Sequence, residues 1–171
     1  MEKNEQVIAR TVREILEKNG FGSAADTSAN VTHMTADITL DFAEVLMKKV
    51  EQEAKNMSMR VVTAVSDSHG NPVAVRCMDD AYIGSYDVAL NKTYTAIAFK
   101  MSTEELGKLA ASGAELYGIQ HTNKGRIVIF GGGVPLKSGD TIIGGLGISG
   151  GTGEEDHSLA EYALSVLPEI L

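Results

Sequence analysis

Hydrophobic residues recur at helical spacing near the start of the chain. Ile8, Val12 and Ile15 lie at positions i, i+4 and i+7 within residues 1–21, and charged residues cover most of the remaining surface. This spacing predicts an amphipathic helix with one apolar stripe.

A polar stretch separates this helix from the body of the chain. Residues 22–36 are small and polar, as is typical of a linker, and the body comprises residues 37–171. Within the body, helical and strand-like patterns alternate. The helical patterns predict four helices, at 39–57, 85–100, 103–111 and 154–167. The strand-like runs predict about five strands, at 61–66, 73–77, 126–130, 134–136 and 141–149.

Turn residues lie between neighbouring strands. His69-Gly70 and Asn71-Pro72 stand between the first two strands, and residues 137–140 (KSGD) precede the last one. Hairpins pair their strands antiparallel, whereas a doubly wound sheet needs parallel strands joined by helical crossovers. The sequence therefore predicts a single α+β domain, in which helices flank an antiparallel sheet.

A glycine pattern near the C-terminus, G-x-G-x-x-G at Gly145, Gly147 and Gly150, matches the motif of dinucleotide-binding loops. Such a loop needs a second strand that carries an acidic residue about 20 residues further on, and only 21 residues follow Gly150. The carboxylates at 154–156 would also repel a diphosphate at the start of the helix. We therefore interpret Gly144, Gly145 and Gly147 as strand positions that a helix or another subunit approaches closely. Gly150 and Gly151 are interpreted as the sharp turn from this strand into the helix.

Composition and charge exclude several classes of function. The chain has 171 residues, with 15 Lys and Arg against 23 Asp and Glu, which gives a net charge of −8. This acidic balance argues against nucleic acid and anionic membranes as partners, and no apolar run approaches the ~20 residues of a membrane span. Cys77 is the only cysteine, which excludes an internal disulfide and a cysteine-based zinc site. Because residues 1–10 lack the apolar core of a secretion signal, we expect a cytoplasmic location.

Several motifs of the body stand in a recognisable order. They are residues 65–103, LYGIQHTNKG at 116–125, RIVIFGGGVPL at 126–136 and IIGGLGISGGTGEEDHSLA at 142–160. Together they resemble the GlcG/HbpS-like family of small haem-associated proteins, and within it the C-terminal domain of the propanediol-utilisation corrinoid adenosyltransferase. The resemblance covers residues 37–167 and implies a profilin-like sheet and a homo-oligomer. It also implies binding of haem or, as a second candidate, a corrinoid, without an established reaction.

Haem needs an axial ligand, an apolar slot and cations for its propionates. The resemblance implies an axial histidine on or beside the first helix of the body, and this helix contains none. His33, just before the helix, is therefore the candidate metal ligand, and His121 is a second candidate for the cofactor pocket. We expect His69 in an exposed turn, and His157, beside three acids, at the surface or in a weak acidic metal contact.

Two cations are candidates for binding a carboxylate of the ligand. Lys92 lies on an otherwise apolar helical stripe, so it either reaches solvent or binds such a carboxylate. Arg126 offers a fork suited to bidentate binding, and Asp79 and Asp87 are candidate internal partners for either cation. The same cations would suit an enzyme acting on a small carboxylate or aldehyde. Because spacing reveals no Ser-His-Asp or Cys-His set, we favour a binding protein over an enzyme.

The N-terminal helix needs a partner for its apolar stripe. A helix near the ~12–15 residue threshold is marginal alone in water, and such stripes commonly dock in a groove. It resembles the encapsulation peptides of bacterial microcompartments, in which the relative described above works. We therefore expect residues 1–21 to bind shell or cargo proteins, which would place the protein in a microcompartment lumen. The alternatives are packing on its own domain or on a sister subunit, and a purely structural oligomer.

Overall fold

The computed structural model describes residues 37–171. Within them, the helices and strands follow in the order α1 (Leu40–Asn56), β1 (Val62–Asp67), β2 (Pro72–Cys77), α2 (Ser85–Phe99), α3 (Thr103–Leu109), β3 (Gly133–Ser138), β4 (Thr141–Ser149) and α4 (Gly153–Val166). Short 3₁₀ turns lie at Ile119–His121, Asn123–Gly125 and Leu167–Glu169. The predicted helix at 1–21 and the predicted linker at 22–36 lie outside the described residues.

The four strands form one antiparallel sheet in the order β2-β1-β4-β3. The hairpins β1–β2 and β3–β4 are joined side by side through β1 and β4, where Val62 pairs with Ser149 and Asp67 with Gly144. This arrangement confirms the predicted α+β class and the antiparallel sheet.

The sheet carries helices on both faces, because successive side chains along each strand point to opposite faces and both faces are packed. On one face, Leu146 and Ile148 of β4 and Val65 of β1 belong to the main core, which also contains buried residues of α1 and α4. On the other face, Gly145 and Gly147 of β4 lie against α2. The main core and α2 therefore occupy opposite sides of the sheet.

The strand glycines allow α2 to approach the sheet. A Cβ added at Gly147 would lie 2.8 Å from the Thr93 nitrogen and would overlap the carbonyl oxygen of Ala89. A Cβ added at Gly145 would lie 2.7 Å from the Thr93 hydroxyl. These contacts confirm the interpretation of the glycines as sites of close approach.

The predicted strand at 126–130 is wrong, because this segment forms no ladder with any strand in residues 37–171. The Val128 N–H donates instead to Oγ1 of Thr95 on α2, at 3.1 Å, and the carbonyl group of Ile129 packs on Gly107 of α3. The segment therefore lies along helices, and the sheet has four strands rather than five.

Side-chain caps fix where α1, α3 and α4 begin. Thr39 accepts a hydrogen bond from the first turn of α1, and the predicted capping box of Ser102 and Glu105 opens α3. A second capping box, formed by Thr152 and Glu155, opens α4. Sequence reasoning missed this second box, although its Thr-x-x-Glu spacing is the recognised signal.

Candidate functional site

Lys92 of α2 and Asp156 of α4 form a buried ion pair. The Lys92 Nζ donates to Oδ2 of Asp156 at 2.7 Å and to the carbonyl oxygen of Ile148 at 2.6 Å. The two side chains are 0% and 2% exposed. The other carboxylate oxygen, Oδ1, accepts a hydrogen bond from the Gly151 N–H at 2.9 Å. This one pair therefore joins α2, β4 and the first turn of α4.

Burial opposes the charge on both members of the pair. Desolvation lowers the pKa of Lys92, although the adjacent Asp156 charge and its hydrogen bond act in the opposite direction. Desolvation likewise raises the pKa of Asp156, against Lys92 and the N–H groups of Gly151 and Gly150. The 2.7 Å contact has the geometry of a charge-assisted hydrogen bond. Either partner alone would be an uncompensated buried charge, so the pair is costly to break.

The triple glycine at 131–133 encloses the ammonium group of Lys92. Gly132 has a φ of +109°, and a Cβ there would lie 2.8 Å from the Lys92 Nζ. The Phe130 ring centroid lies 4.8 Å from the same Nζ, within the range of a cation–π contact. The Gly133 N–H donates to Oγ1 of Thr103 at 2.9 Å. Glycine is required at 132 because the backbone is left-handed and passes directly over a buried cation.

His157, the residue after Asp156, lines a surface cleft instead of the core. Its Nε2 lies 2.9 Å from Oε2 of Glu104 and 3.9 Å from Oε1 of Glu161. Its Nδ1 is buried and has no hydrogen-bond partner within residues 37–171. Two adjacent residues of one helical turn therefore have different surroundings, one in the interior and one at the cleft.

The cleft has a volume of about 490 Å³ and lies between α3, β3 and α4. This volume falls in the range of about 300–1,000 Å³ that is usual for small-molecule and cofactor pockets. Its apolar lining includes Val134, Pro135, Leu164 and Leu167. Its charged residues are three lysines, Lys100, Lys108 and Lys137, and three carboxylates, Glu104, Glu105 and Glu161.

Arg126 and His121 lie in one exposed loop. The guanidinium of Arg126 stacks 3.8 Å above the ring centroid of Tyr94, and its Nε donates to Oδ1 of Asn91 at 3.3 Å. The Asn123 amide donates to the Tyr94 hydroxyl at 3.0 Å. His121 is exposed at the end of its 3₁₀ turn. The loop therefore presents an exposed cation on an aromatic platform.

The predicted cofactor-binding residues differ in their surroundings. Lys92 is buried, whereas His121 and Arg126 are exposed. His33, the predicted metal ligand, lies outside the described residues. Their assignment to a cofactor stays a prediction.

Asp79 and Asp87 were the predicted acidic partners of Lys92. This prediction is wrong, because Lys92 binds Asp156. Asp87 accepts a hydrogen bond from the Asn91 amide at 3.0 Å instead. Sequence reasoning missed Asp156 as a partner. The available signal was its position on the buried stripe of α4.

The described residues also bear on the exposure of His69, on metal binding and on membrane spans. His69 is 70% exposed in the turn between β1 and β2, as predicted. Within residues 37–171, no group of three or more His, Cys, Asp or Glu residues is placed to hold a metal ion. No helix of this part of the chain is long and apolar enough to cross a membrane.

Comparison with known proteins gives relatives over most of the chain. An uncharacterized 15.0 kDa protein from the dhaT-dhaS intergenic region of Citrobacter freundii is 43% identical over 141 residues, which cover 82% of this chain and 99% of that protein. The corrinoid adenosyltransferase PduO of Salmonella typhimurium is 36% identical over 135 residues, or 78% of this chain. Those residues make up 40% of PduO, so this chain corresponds to about two fifths of its length.

A solved structure described as the PduOC:Heme complex superimposes with a TM-score of 0.72. It is 35% identical in sequence, and the match covers 75% of this chain and 94% of that one. The family model described as haem degrading protein HbpS-like matches residues 38–165. The chain therefore belongs to the HbpS-like family.

Proposed function

We propose that this protein binds haem, or a related tetrapyrrole, as an accessory protein rather than as an enzyme. The observation that carries the proposal is the likeness to the PduOC:Heme complex, because the match spans 94% of that chain. Haem is favoured over a corrinoid because the corrinoid chemistry named for PduO belongs to a protein of which this chain matches only 40%.

The residues of the described domain supply part of what a haem group needs. Haem binding needs an imidazole or similar ligand, apolar walls and cations for the propionates. The cleft between α3, β3 and α4 offers apolar walls and three lysines, but Glu104, Glu105 and Glu161 line it too, and the Nε2 of its histidine, His157, already contacts Glu104 at 2.9 Å. His33 is a further candidate ligand. Bound haem would supply iron redox chemistry and a strong visible absorption.

Titration of the full-length protein with haemin tests this proposal. We expect a saturable shift of the Soret band, and a weaker shift in His33→Ala if that residue ligates the iron. His69→Ala is the matched control, since His69 is an exposed turn residue. Absence of any spectral change with haemin or a corrinoid would remove the proposal.

We also propose that residues 1–21 direct the protein into a bacterial microcompartment by binding shell or cargo proteins. The support is the apolar stripe of Ile8, Val12 and Ile15 and the resemblance to a propanediol-utilisation protein. Residues 1–22 fused to a fluorescent reporter should form puncta in cells that make shells. Val12→Asp in the same fusion should give diffuse fluorescence, and diffuse fluorescence of the unaltered fusion would contradict the proposal.

A homo-oligomer completes the proposed function. Ile83 is 96% exposed, and Tyr82 and Tyr86 beside it are 73% and 50% exposed. Exposed apolar clusters of this kind commonly mark interaction surfaces. Light scattering of the purified protein should give a multiple of the 18.2 kDa chain mass, and Ile83→Asp should reduce it.

A further inference from the structure

A second cavity, of about 510 Å³, lies where the last turn of α1 meets the end of β2. Its volume is also usual for a small-molecule pocket. It shares no lining residue with the cleft beside His157, so a ligand in this cavity is separate from the proposed haem. Apart from Cys77 and Met78, all of its lining residues are charged.

One ion pair in this cavity is already complete. Arg76 of β2 donates to Glu51 of α1 through both Nε and Nη2, and Nη2 lies 2.9 Å from Oε2. A bidentate contact of this kind has a fixed geometry. Because Glu51 holds these two donors of Arg76, they are not available to Asp79, the next acid along the chain.

Four other charged groups line the cavity without an ion-pair partner in residues 37–171. They are Lys55, Arg60, Asp79 and Asp80, since the ion pairs of this part of the chain are formed by other residues. The Nη1 of Arg60 donates instead to the carbonyl oxygen of Met59, at 3.0 Å. Two cations and two carboxylates therefore share one cavity, separated by more than the ~4 Å N–O distance of an ion pair.

The turn that carries the two carboxylates is strained. Asp79 and Asp80 are its central residues, and the Ala81 N–H closes it by donating to the Met78 carbonyl oxygen at 3.1 Å. Asp80 has a φ of +64°, a left-handed conformation that glycine adopts freely and that is costly for other residues. Strain of this kind clusters at functional sites. It therefore favours a ligand-binding role for this carboxylate.

Opposite charges that are held apart in one cavity suit a ligand that carries both charges. A simple anion beside Arg60 would be repelled by Asp79 and Asp80. A simple cation beside these carboxylates would likewise be repelled by Lys55 and Arg60. We propose that this cavity binds a small zwitterion of the class of the free amino acids. The two cations bind its carboxylate, and the two acids bind its ammonium group.

Cys77 reports whether the cavity is occupied, because it is exposed in the cavity lining and is the only cysteine of the chain. A bound ligand should slow its alkylation by iodoacetamide in the full-length protein, followed by mass spectrometry. We expect saturable protection by at least one of L-alanine, L-leucine and β-alanine. Propionate and ethylamine each carry one of the two charges, so at equal ionic strength they should need roughly tenfold higher concentrations or more. The proposal is overturned if none of the three amino acids protects Cys77, or if propionate or ethylamine protects it equally well.

Charge variants test which side chains hold the ligand. Arg60→Gln and Asp79→Asn should each raise the half-protecting concentration by roughly tenfold. Glu44→Gln and Lys48→Gln are matched controls, because these residues form an exposed ion pair on α1 outside the cavity. Half-protecting concentrations that are the same in all four variants would overturn the proposal.

Asp80→Gly separates ligand binding from folding. Glycine relieves the left-handed strain, so this variant should not lower the urea midpoint of unfolding, yet it should weaken the protection of Cys77. Lys100→Gly is the matched control, because Lys100 also has a left-handed φ, of +57°, and lies outside the cavity. It should leave the protection unchanged. Protection in Asp80→Gly equal to that in the control would remove the strained turn from the site and overturn the proposal.

Discussion

Replacing Asp156 with Asn removes the counter-ion of Lys92 with almost no change of shape. The amide oxygen can still accept the Gly151 N–H, so the substitution isolates the loss of charge. Removing one partner of a buried ion pair costs about 3–5 kcal/mol. An independent bound comes from Lys92 itself, which can lose its proton. From its ordinary pKa of 10.5, deprotonation at pH 7 costs at most about 5 kcal/mol. We therefore expect a loss of about 3–5 kcal/mol in unfolding free energy.

The same reasoning fixes the pH dependence of the loss. In Asp156→Asn, the folded-state pKa of Lys92 lies below 10.5, so the unfolded chain binds more protons and stability rises with pH through that window. At pH 9.5 the deprotonation of Lys92 costs at most about 1.4 kcal/mol. The difference between the variant and the unaltered protein should therefore narrow by about 2–3 kcal/mol between pH 7 and pH 9.5.

Urea unfolding at the two pH values measures both quantities. Asp87→Asn is the matched control, because Asp87 is exposed and accepts a hydrogen bond from the Asn91 amide, and it should change stability by less than about 0.5 kcal/mol. The double variant Lys92→Met, Asp156→Leu should regain most of the loss, since it leaves no buried charge. If Asp156→Asn lies within about 1 kcal/mol of the unaltered protein at both pH values, Lys92 is not a buried ammonium held by Asp156.

Two further substitutions test the sheet and its first turn. Gly147→Ala should lose more than about 2 kcal/mol in urea unfolding, because the new Cβ would overlap the Ala89 carbonyl oxygen; Gly139→Ala, in open space at a φ of +58°, should lose only about 1 kcal/mol, and equal losses would contradict the packing argument. Burial raises the pKa of Asp67, but hydrogen bonds from the side chain and N–H of Asn71 and from the neighbouring turn outweigh it and leave this pKa below 3.8. The contribution of Asp67 is thus present above pH 3.8 and lost as pH falls through its folded-state pKa. Asp67→Asn should cost less than about 1 kcal/mol at neutral pH, since the turn is solvent-screened, and a cost that did not shrink in acid would refute the assignment.

The sequence predicted those elements whose causes are local. The helices at 39–57 and 85–100 were recognisable because each has its apolar stripe within a few turns of the chain, and Thr39 caps the first of them. The prediction of a strand at 126–130 failed because it too depended on a local pattern. A run rich in β-branched residues has the same pattern whether its N–H groups pair with a strand or, as at Val128, with the hydroxyl of Thr95 on a helix.

The candidate site was harder to predict because its contacts are distant in the chain. Lys92 and Asp156 are 64 positions apart, and nearby acids such as Asp79 were the natural partners on sequence proximity. A non-local signal did exist. Lys92 is a lone cation on a buried helical stripe, and Asp156 is a lone carboxylate on the buried stripe of α4, which otherwise consists of Leu159, Ala160, Ala163 and Val166. Two opposite charges, each alone on an apolar face, are best satisfied by each other.

The glycine-rich end of β4 leads directly into the first turn of α4, which carries three carboxylates. A phosphate at a helix N-terminus binds the free backbone N–H groups. Here the chain's own carboxylates accept from them, since Glu155 bonds the Thr152 N–H at 2.8 Å and Asp156 bonds the Gly151 N–H at 2.9 Å. A diphosphate would have to displace both carboxylates, and displacing Asp156 would leave Lys92 without its counter-ion. The same carboxylate that neutralises the buried lysine therefore closes the anion site, so the G-x-G-x-x-G spacing gives close packing instead of nucleotide binding.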